Sequence, residues 1–334
     1  MRILFMGHNK WACLTLRELI KNGHDICGVI TETDEYDSNN REHYNSFARF
    51  NAYESLKNLA LGFNLPLYQP DKVNSAPWVE KIEKMAPELI VIVSYHAIIK
   101  GELLEKYGGR IINAHAAYLP YYKGRAPITW AIINGEEYGG VTVHFIDKGV
   151  DTGPIIVQQK VKIVKDDRGI DLLLRMLPLF PKLVSQAVRL IETKKVKPRV
   201  QNPYEGCYFA QRDPINGAID WQGETSQEIH NKVRALTTPY PKAFFIYGQR
   251  RKVFVLKTTL PDDHNAKKIC PKPGMVYCKA PNGGVKVTTT DGYIIIDEIE
   301  IDGKQYPGDY LTLGNNINYN FIEKQLIESG DWPE

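Results

Sequence analysis

Two polar residues end the apolar segment Ile111-Ile112-Asn113-Ala114-His115. Side chains alternate between the two faces of a strand, so Asn113 and His115, two apart, share a face. An amide donor beside an imidazole suits the negative charge that develops on a carbonyl oxygen during acyl transfer. On its own, Asn-x-His carries little weight, since histidines also settle in protein interiors. A nearby carboxylate that orients the ring and favours its charged form adds to the signal. Two stand in Val141-Thr-Val-His-Phe-Ile-Asp147-Lys-Gly-Val-Asp151-Thr-Gly-Pro154. Asp147 serves equally well as a loop cap, and His144 on the same segment reads as a packing histidine.

These residues need elements to carry them. Arg2–Met6, His24–Thr31, Glu88–Tyr95, Arg110–His115, Val141–Asp147 and Pro154–Ile163 read as strands, and helical patterns lie between most of them. Glu88–Tyr95 is a β-branched run of the kind buried on both faces of a parallel sheet. The alternation predicts an α/β, Rossmann-like, doubly wound, mostly parallel sheet. Ser75 is the expected N-cap of a helix with Pro77 in its first turn, and Pro178 and Pro181 are expected to split the helical stretch 167–195. Beyond Pro198 the texture changes. Thr225-Ser-Gln-Glu228 has capping-box spacing, and five short strand-like runs between Ala243 and Ile301 predict a small OB-like β-barrel. The expected organisation is a catalytic domain over 1–202, a barrel over 203–315 and a C-terminal helix or tail over 316–334, its helix at Tyr319–Ser329.

Composition narrows the classes. A chain of 334 residues with 43% hydrophobic and 24% charged residues suits a globular protein of about two domains. No apolar run approaches the ~18–20 residues of a membrane span, and the N-terminus lacks the pattern of a secretory signal. The five cysteines form no CxxC pair, so the expectation is a cytoplasmic protein without a structural metal or disulfide framework. Gly7-His8-Asn9-Lys10 follows the first strand without a GxGxxG or P-loop pattern, which argues against nicotinamide and ATP chemistry. Its polar groups lie where open α/β sheets bind ligands.

Asn113-x-His115, the loop Leu119-Pro120 to Gly124, and Asp151-Thr-Gly153 together resemble the formyltransferases that use 10-formyltetrahydrofolate. The resemblance covers the N-terminal domain, and Ile219-Asp220-Trp221 and Pro273-Gly274-Met275-Val276 extend it into the second. It implies a formyl transfer to an amine without a covalent enzyme intermediate, with Asn113, His115 and Asp151 as the catalytic set and no metal. It also implies a folate site made by Ser94, Tyr95, His96, Ala97 and Ile98, whose other wall is the loop carrying Asp147 and Gly149.

For the acceptor, charge is the available guide. Residues 1–202 carry a net charge of +5 and residues 203–334 carry −2, whereas a nucleic-acid platform normally shows a basic face. Glu32–Tyr53 mixes both signs. The run Tyr122-Lys-Gly-Arg125-Ala-Pro-Ile-Thr-Trp130 resembles nucleotide-sugar N-formyltransferases. The expected acceptor is therefore the amine of a UDP- or dTDP-linked amino sugar for glycan or surface-polysaccharide synthesis, with no nucleic-acid or membrane partner. Lys10, Trp11, Tyr122, Arg125 and Trp130 are its expected contacts, and Tyr204–Phe209 a further aromatic platform. A methionyl-tRNA acceptor is the alternative, followed by a non-catalytic folate or sugar binder. The resemblance allows a homodimer through the second domain.

Overall fold

Arg2–Gly7 forms strand β1, whose residues Ile3–Met6 have no solvent exposure. The fold is that of a computed structural model, which describes residues 1–247, 251–261 and 272–311. Helix α1 (Asn9–Lys21) buries Ala12, Cys13, Leu16 and Leu19, the three- and four-residue spacing of one helical face. Then come β2 (Asp25–Ile30), the short helices α2 (Asp34–Asn39), α3 (Arg41–Ala48) and α4 (Leu56–Gly62), β3 (Leu67–Tyr68), α5 (Ala76–Met85) and β4 (Leu89–Val93). All five residues of β4 are buried, as its unbroken apolar sequence requires. Helix α6 (Gly101–Tyr107), β5 (Ile111–His115), β6 (Lys123–Gly124), α7 (Pro127–Ile133), β7 (Tyr138–Phe145) and β8 (Ile155–Lys162) follow. Two further helices, α8 (Gly169–Met176) and α9 (Leu179–Glu192), precede the two-residue strand β9 (Tyr208–Phe209).

The main sheet has the order β3-β2-β1-β4-β5-β7-β8. Its first five strands are parallel, and β7 and β8 each run antiparallel to the neighbour before them. The Rossmann-like, mostly parallel arrangement expected from the sequence is the one found. Chain order breaks between β1 and β4, and in such sheets ligands bind outside the carboxyl ends of the strands at that point. Gly7 closes the approach there, since a Cβ on it would stand 2.6 Å from the Val93 carbonyl oxygen.

Two local expectations are refined. Ser75 occupies the N-cap of α5 in extended conformation, but its side chain makes no capping bond. Pro178 is the N-cap of α9 and divides it from α8, whereas Pro181 lies within the first turn of α9, where a missing N–H costs nothing.

The residues divide into two compact units. One comprises Met1–Ala131, Glu137–Val164 and Asp171–Gln211, and the other Ile132–Glu136, Lys165–Ile170 and Arg212 onward. In the second unit, helix α10 (Ser226–Leu236) opens with the expected capping box: Thr225 accepts from the Glu228 N–H, and Glu228 accepts from the Thr225 N–H. It packs on an antiparallel sheet made of β10 (Ala243–Tyr247), β11 (Arg251–Thr259), β12 (Val276–Lys279), β13 (Val285–Thr288) and β14 (Tyr293–Ile301), in the order β10-β11-β14-β13-β12. A sixth strand missing from the sequence reading, β15 (Lys304–Pro307), pairs with β14. The helix expected at Tyr319–Ser329 lies outside the described residues. No helix among the described residues is long and apolar enough to cross a membrane.

Candidate active site

Strand β5 delivers Asn113 and His115 to the carboxyl end of the sheet, and its antiparallel neighbour supplies what stands beside them. The β5–β7 register places Asn113 opposite His144 and His115 opposite Thr142, and directly opposed residues in such a ladder are side-chain neighbours. Thr142 is fully buried and organises the turn after β5. Its hydroxyl donates to the Ala117 carbonyl at 2.7 Å and accepts from the Leu119 N–H at 3.1 Å.

Asp151 reaches the same point from the loop after β7. It adopts φ 55°, a left-handed conformation that costs energy for a residue with a side chain. Two devices hold it there. Gln201, buried, donates from its amide nitrogen to the Asp151 carbonyl at 2.9 Å and the Gly153 carbonyl at 2.7 Å. Gly153 permits the turn to close, because a Cβ on it would stand 1.8 Å from the Phe145 carbonyl oxygen.

The Asp151 carboxylate is the hub. One oxygen, Oδ2, accepts the Gly124 N–H at 2.9 Å and faces His115 Nδ1 at 3.6 Å. The other, Oδ1, stands 3.5 Å from both Asn113 Nδ2 and His144 Nε2. Burial by itself would push this carboxyl up. The charge on His115, the hydrogen bond and charge of His144 and the Gly124 N–H outweigh it and hold the group well below the usual carboxylate range.

Each histidine is anchored on its far side. His115 Nε2 lies 2.9 Å from the Tyr122 carbonyl oxygen. Both its ring nitrogens thus face oxygen acceptors. His144 Nδ1 lies 2.8 Å from the Phe145 carbonyl, which leaves Nε2 toward Asp151 and, at 3.3 Å, toward the Asn113 amide. His144 is 2% exposed and completes a cluster of four buried or half-buried polar side chains. The sequence pattern reads it as a packing histidine, whereas the fold makes it a neighbour of Asp151 and Asn113. Its position was hidden because periodicity does not give the direction or register in which two strands pair. Gln201 left no sequence signal at all.

The remaining expected site residues are distributed around this cluster. Ser94, at φ 57°, accepts from the Asn9 side-chain amide at 3.1 Å across the β1–β4 break. Asn9 Oδ1 is buried and accepts no hydrogen bond among the described residues. Half-buried His96 directs its backbone N–H and its Nδ1 to Glu32 Oε1, each at 3.1 Å, and its ring lies 4.9 Å from Tyr36. Tyr95 is half-buried, and Ala97 and Ile98 are exposed. Arg125 joins this loop to the one after β5 by donating to the His96 carbonyl at 3.1 Å. Asp147 Oδ1 accepts the Gly149 N–H at 3.1 Å and the Thr152 hydroxyl at 2.6 Å, so Asp147 caps its own loop and Gly149 is part of that turn.

Four of the five expected acceptor contacts are engaged elsewhere. Lys10 bonds the backbone and side chain of Asn51. The Trp11 ring packs on Phe180 of α9 at 5.3 Å. Tyr122 and Trp130 stack on either side of Phe209, at 5.1 and 5.0 Å. Aromatic rings at these positions bury apolar area inside the unit. No group of three or more His, Cys, Asp or Glu side chains that could hold a metal ion occurs among the described residues.

Comparison with known proteins agrees with the fold and corrects the acceptor. Residues 1–188 match the formyl transferase family and residues 212–310 the formyl transferase C-terminal domain. The methionyl-tRNA formyltransferase of Clostridioides difficile is 32% identical over 98% of this chain and 99% of its own. That of Pelobacter propionicus is 33% identical over 91% and 89%. A crystal structure of WlaRD, a sugar 3N-formyl transferase, in the presence of dTDP and 5-N-formyl-THF superposes with a TM-score of 0.65 at 24% identity. That match covers 91% of this chain and 98% of that one, and at such identity it speaks for the fold alone. The nucleotide-sugar acceptor expected from the sequence is therefore overturned, because the relatives at 30–34% identity are methionyl-tRNA formyltransferases. A charge balance summed over a domain says nothing about any one face, so the slightly acidic second half does not exclude an RNA acceptor. By the match to both of its domains and by identity above 30% over nearly its whole length, the chain belongs to the formyl transferase family.

Proposed function

We propose that this formyltransferase moves a formyl group from 10-formyltetrahydrofolate to the α-amine of methionyl-tRNA. The observation that carries the acceptor is identity of 32–33% with methionyl-tRNA formyltransferases over more than nine-tenths of the chain. The donor is supported by the orphaned Asn9 Oδ1 beside Ser94, a buried acceptor suited to a ligand rich in N–H groups, as a pterin is. Ser94–Ile98 and the Asp147–Gly149 turn would hold that ligand, and the chemistry it supplies is an electrophilic one-carbon unit.

The chain's own groups then do three things. The Asn113 amide offers an N–H donor to negative charge developing on the formyl oxygen, a contribution of about 3–4 kcal/mol for a well-placed donor, while the His115 ring, held between Asp151 and the Tyr122 carbonyl, serves as a proton carrier beside it. Asp151, kept ionised through the working range, accepts the proton released by the attacking amine, directly or by way of His115, and that proton leaves on the donor nitrogen as its bond to the formyl carbon breaks. His144 and Gly124 fix the two oxygens of Asp151, so the carboxylate presents one orientation.

The test is formylation of purified methionyl-tRNA with 10-formyltetrahydrofolate, read as formyl-methionine released by hydrolysis. Asn113→Ala and His115→Ala are each expected to lower turnover at least about a hundredfold while remaining folded. Absence of product with the wild-type enzyme refutes the acceptor, and near-normal turnover in either variant refutes its assigned role.

A further inference from the structure

After α9 the chain returns to the site as a strap, residues 202–209, fastened to the loop 119–125. Gly206, at φ 87°, lies so close that a Cβ would stand 2.0 Å from the Pro120 carbonyl oxygen. The Tyr122 N–H donates to Cys207 Sγ at 3.2 Å, the Lys123 N–H to the Cys207 carbonyl at 2.9 Å, and the Arg125 N–H to the Phe209 carbonyl at 2.9 Å. Alternation along β9 then sends its two rings in opposite directions. Phe209 turns inward between Tyr122 and Trp130.

Tyr208 turns outward and is 58% exposed. Its ring lies against Gly124, with Cε2 and Cζ 2.9 and 3.1 Å from where a Cβ would stand. The N–H of that same glycine donates to Asp151 Oδ2. Among the described residues no hydrogen bond or ring contact engages the Tyr208 side chain. Tyr204 on the strap is 96% exposed, and Tyr121 on the loop it is fastened to is 51% exposed. One exposed tyrosine is ordinary. Three on two segments zipped together, one of them resting on the backbone donor of the central carboxylate, form a surface beside the reaction.

We propose that Tyr208, supported by Tyr204 and Tyr121, is the stacking platform for the unpaired 3′-terminal nucleotides of the acceptor RNA. The proposal rests on the methionyl-tRNA reading and deepens it. The amine to be formylated is carried on the terminal ribose, so the nucleotides leading to it must lie along the lip of the Asp151 site. Unpaired nucleotides are held by stacking on aromatic faces, which tolerates any base, and by cations along the backbone. Exposed Arg125, on the loop under the strap, supplies such a charge.

The experiment measures kcat and KM for methionyl-tRNA in the wild type, Tyr208→Ala and Tyr208→Phe. It adds inhibition of each by a short single-stranded RNA ending in CCA. Losing one stack is worth about a 5- to 150-fold change. Tyr208→Ala is therefore expected to raise both KM and the inhibition constant at least fivefold with kcat within twofold of wild type, and Tyr208→Phe to restore both. An unchanged KM in Tyr208→Ala, an equal defect in Tyr208→Phe, or a loss confined to kcat overturns the platform while leaving the acceptor reading intact. A wild-type enzyme that formylates no methionyl-tRNA removes both.

Discussion

Replacing Asp151 with asparagine tests the chemistry most directly, because it removes a charge while keeping nearly the same shape. The carboxylate is 12% exposed and faces a His115 ring that is 10% exposed, 3.6 Å away. At that distance, with an effective dielectric constant of about 20, a unit charge on the imidazole is stabilised by about 5 kcal/mol. Asparagine offers a dipole in its place, and its NH2 meets the Gly124 N–H or a histidine N–H with a second donor. The expected fall in kcat is about a thousandfold, the rate equivalent of most of that energy. KM is expected to change little, since the group acts where the proton moves. Single-turnover formyl transfer measured against pH is the assay, with circular dichroism to show that the variant is folded. A stability measurement adds an independent check. A carboxyl with a lowered folded pKa contributes stability that is present above its unfolded value of about 3.9 and is lost as pH falls through the folded value. The variant's stability deficit should accordingly be constant above about pH 4 and shrink below it. A folded Asp151→Asn enzyme within tenfold of wild-type kcat would show that the carboxylate carries no proton.

Three further outcomes follow from the same geometry. His144→Phe keeps the ring volume but removes a partner that holds the Asp151 carboxyl down, so kcat should fall at least about tenfold, and the acid limb of its pH profile should move to higher pH. Gly124→Ala places a Cβ 2.2 Å from the Phe209 carbonyl at φ 92°, and should destabilise the first unit by about 1–3 kcal/mol, read as a lowered Tm. Burial and the neighbouring His96 push His8 down from 6.5 to about 4, against the opposing pull of Glu32. The unfolded chain binds that proton more tightly, so about 3 kcal/mol of stability should drain away as pH falls from 6.5 to 4, and His8→Phe should flatten that slope in denaturant melts.

Much of this protein is determined by local sequence. The buried run Leu89–Val93, the amphipathic spacing in α1, the Thr225–Glu228 capping box and the proline at 178 each act over a few residues, and each takes its expected place. Asn113 and His115 share a strand, so the two-residue period alone puts them on one face. Spacing alone leaves Asp147 and Asp151 equivalent as their carboxylate partner, the family resemblance singles out Asp151, and the fold turns Asp147 onto its own loop.

Tertiary structure decided what depends on pairing. The antiparallel register of β5 with β7 turned His144 from a packing residue into a contact of Asp151 and Asn113. Fastening of the 202–209 strap chose which aromatic rings are buried and which face water: Tyr122, Trp130 and Phe209 inward, Tyr208 outward. Both are consequences of contacts between segments far apart in the chain. Propensity and periodicity report the preferences of neighbouring residues, and strand register and side-chain neighbours are set by the packing of the whole.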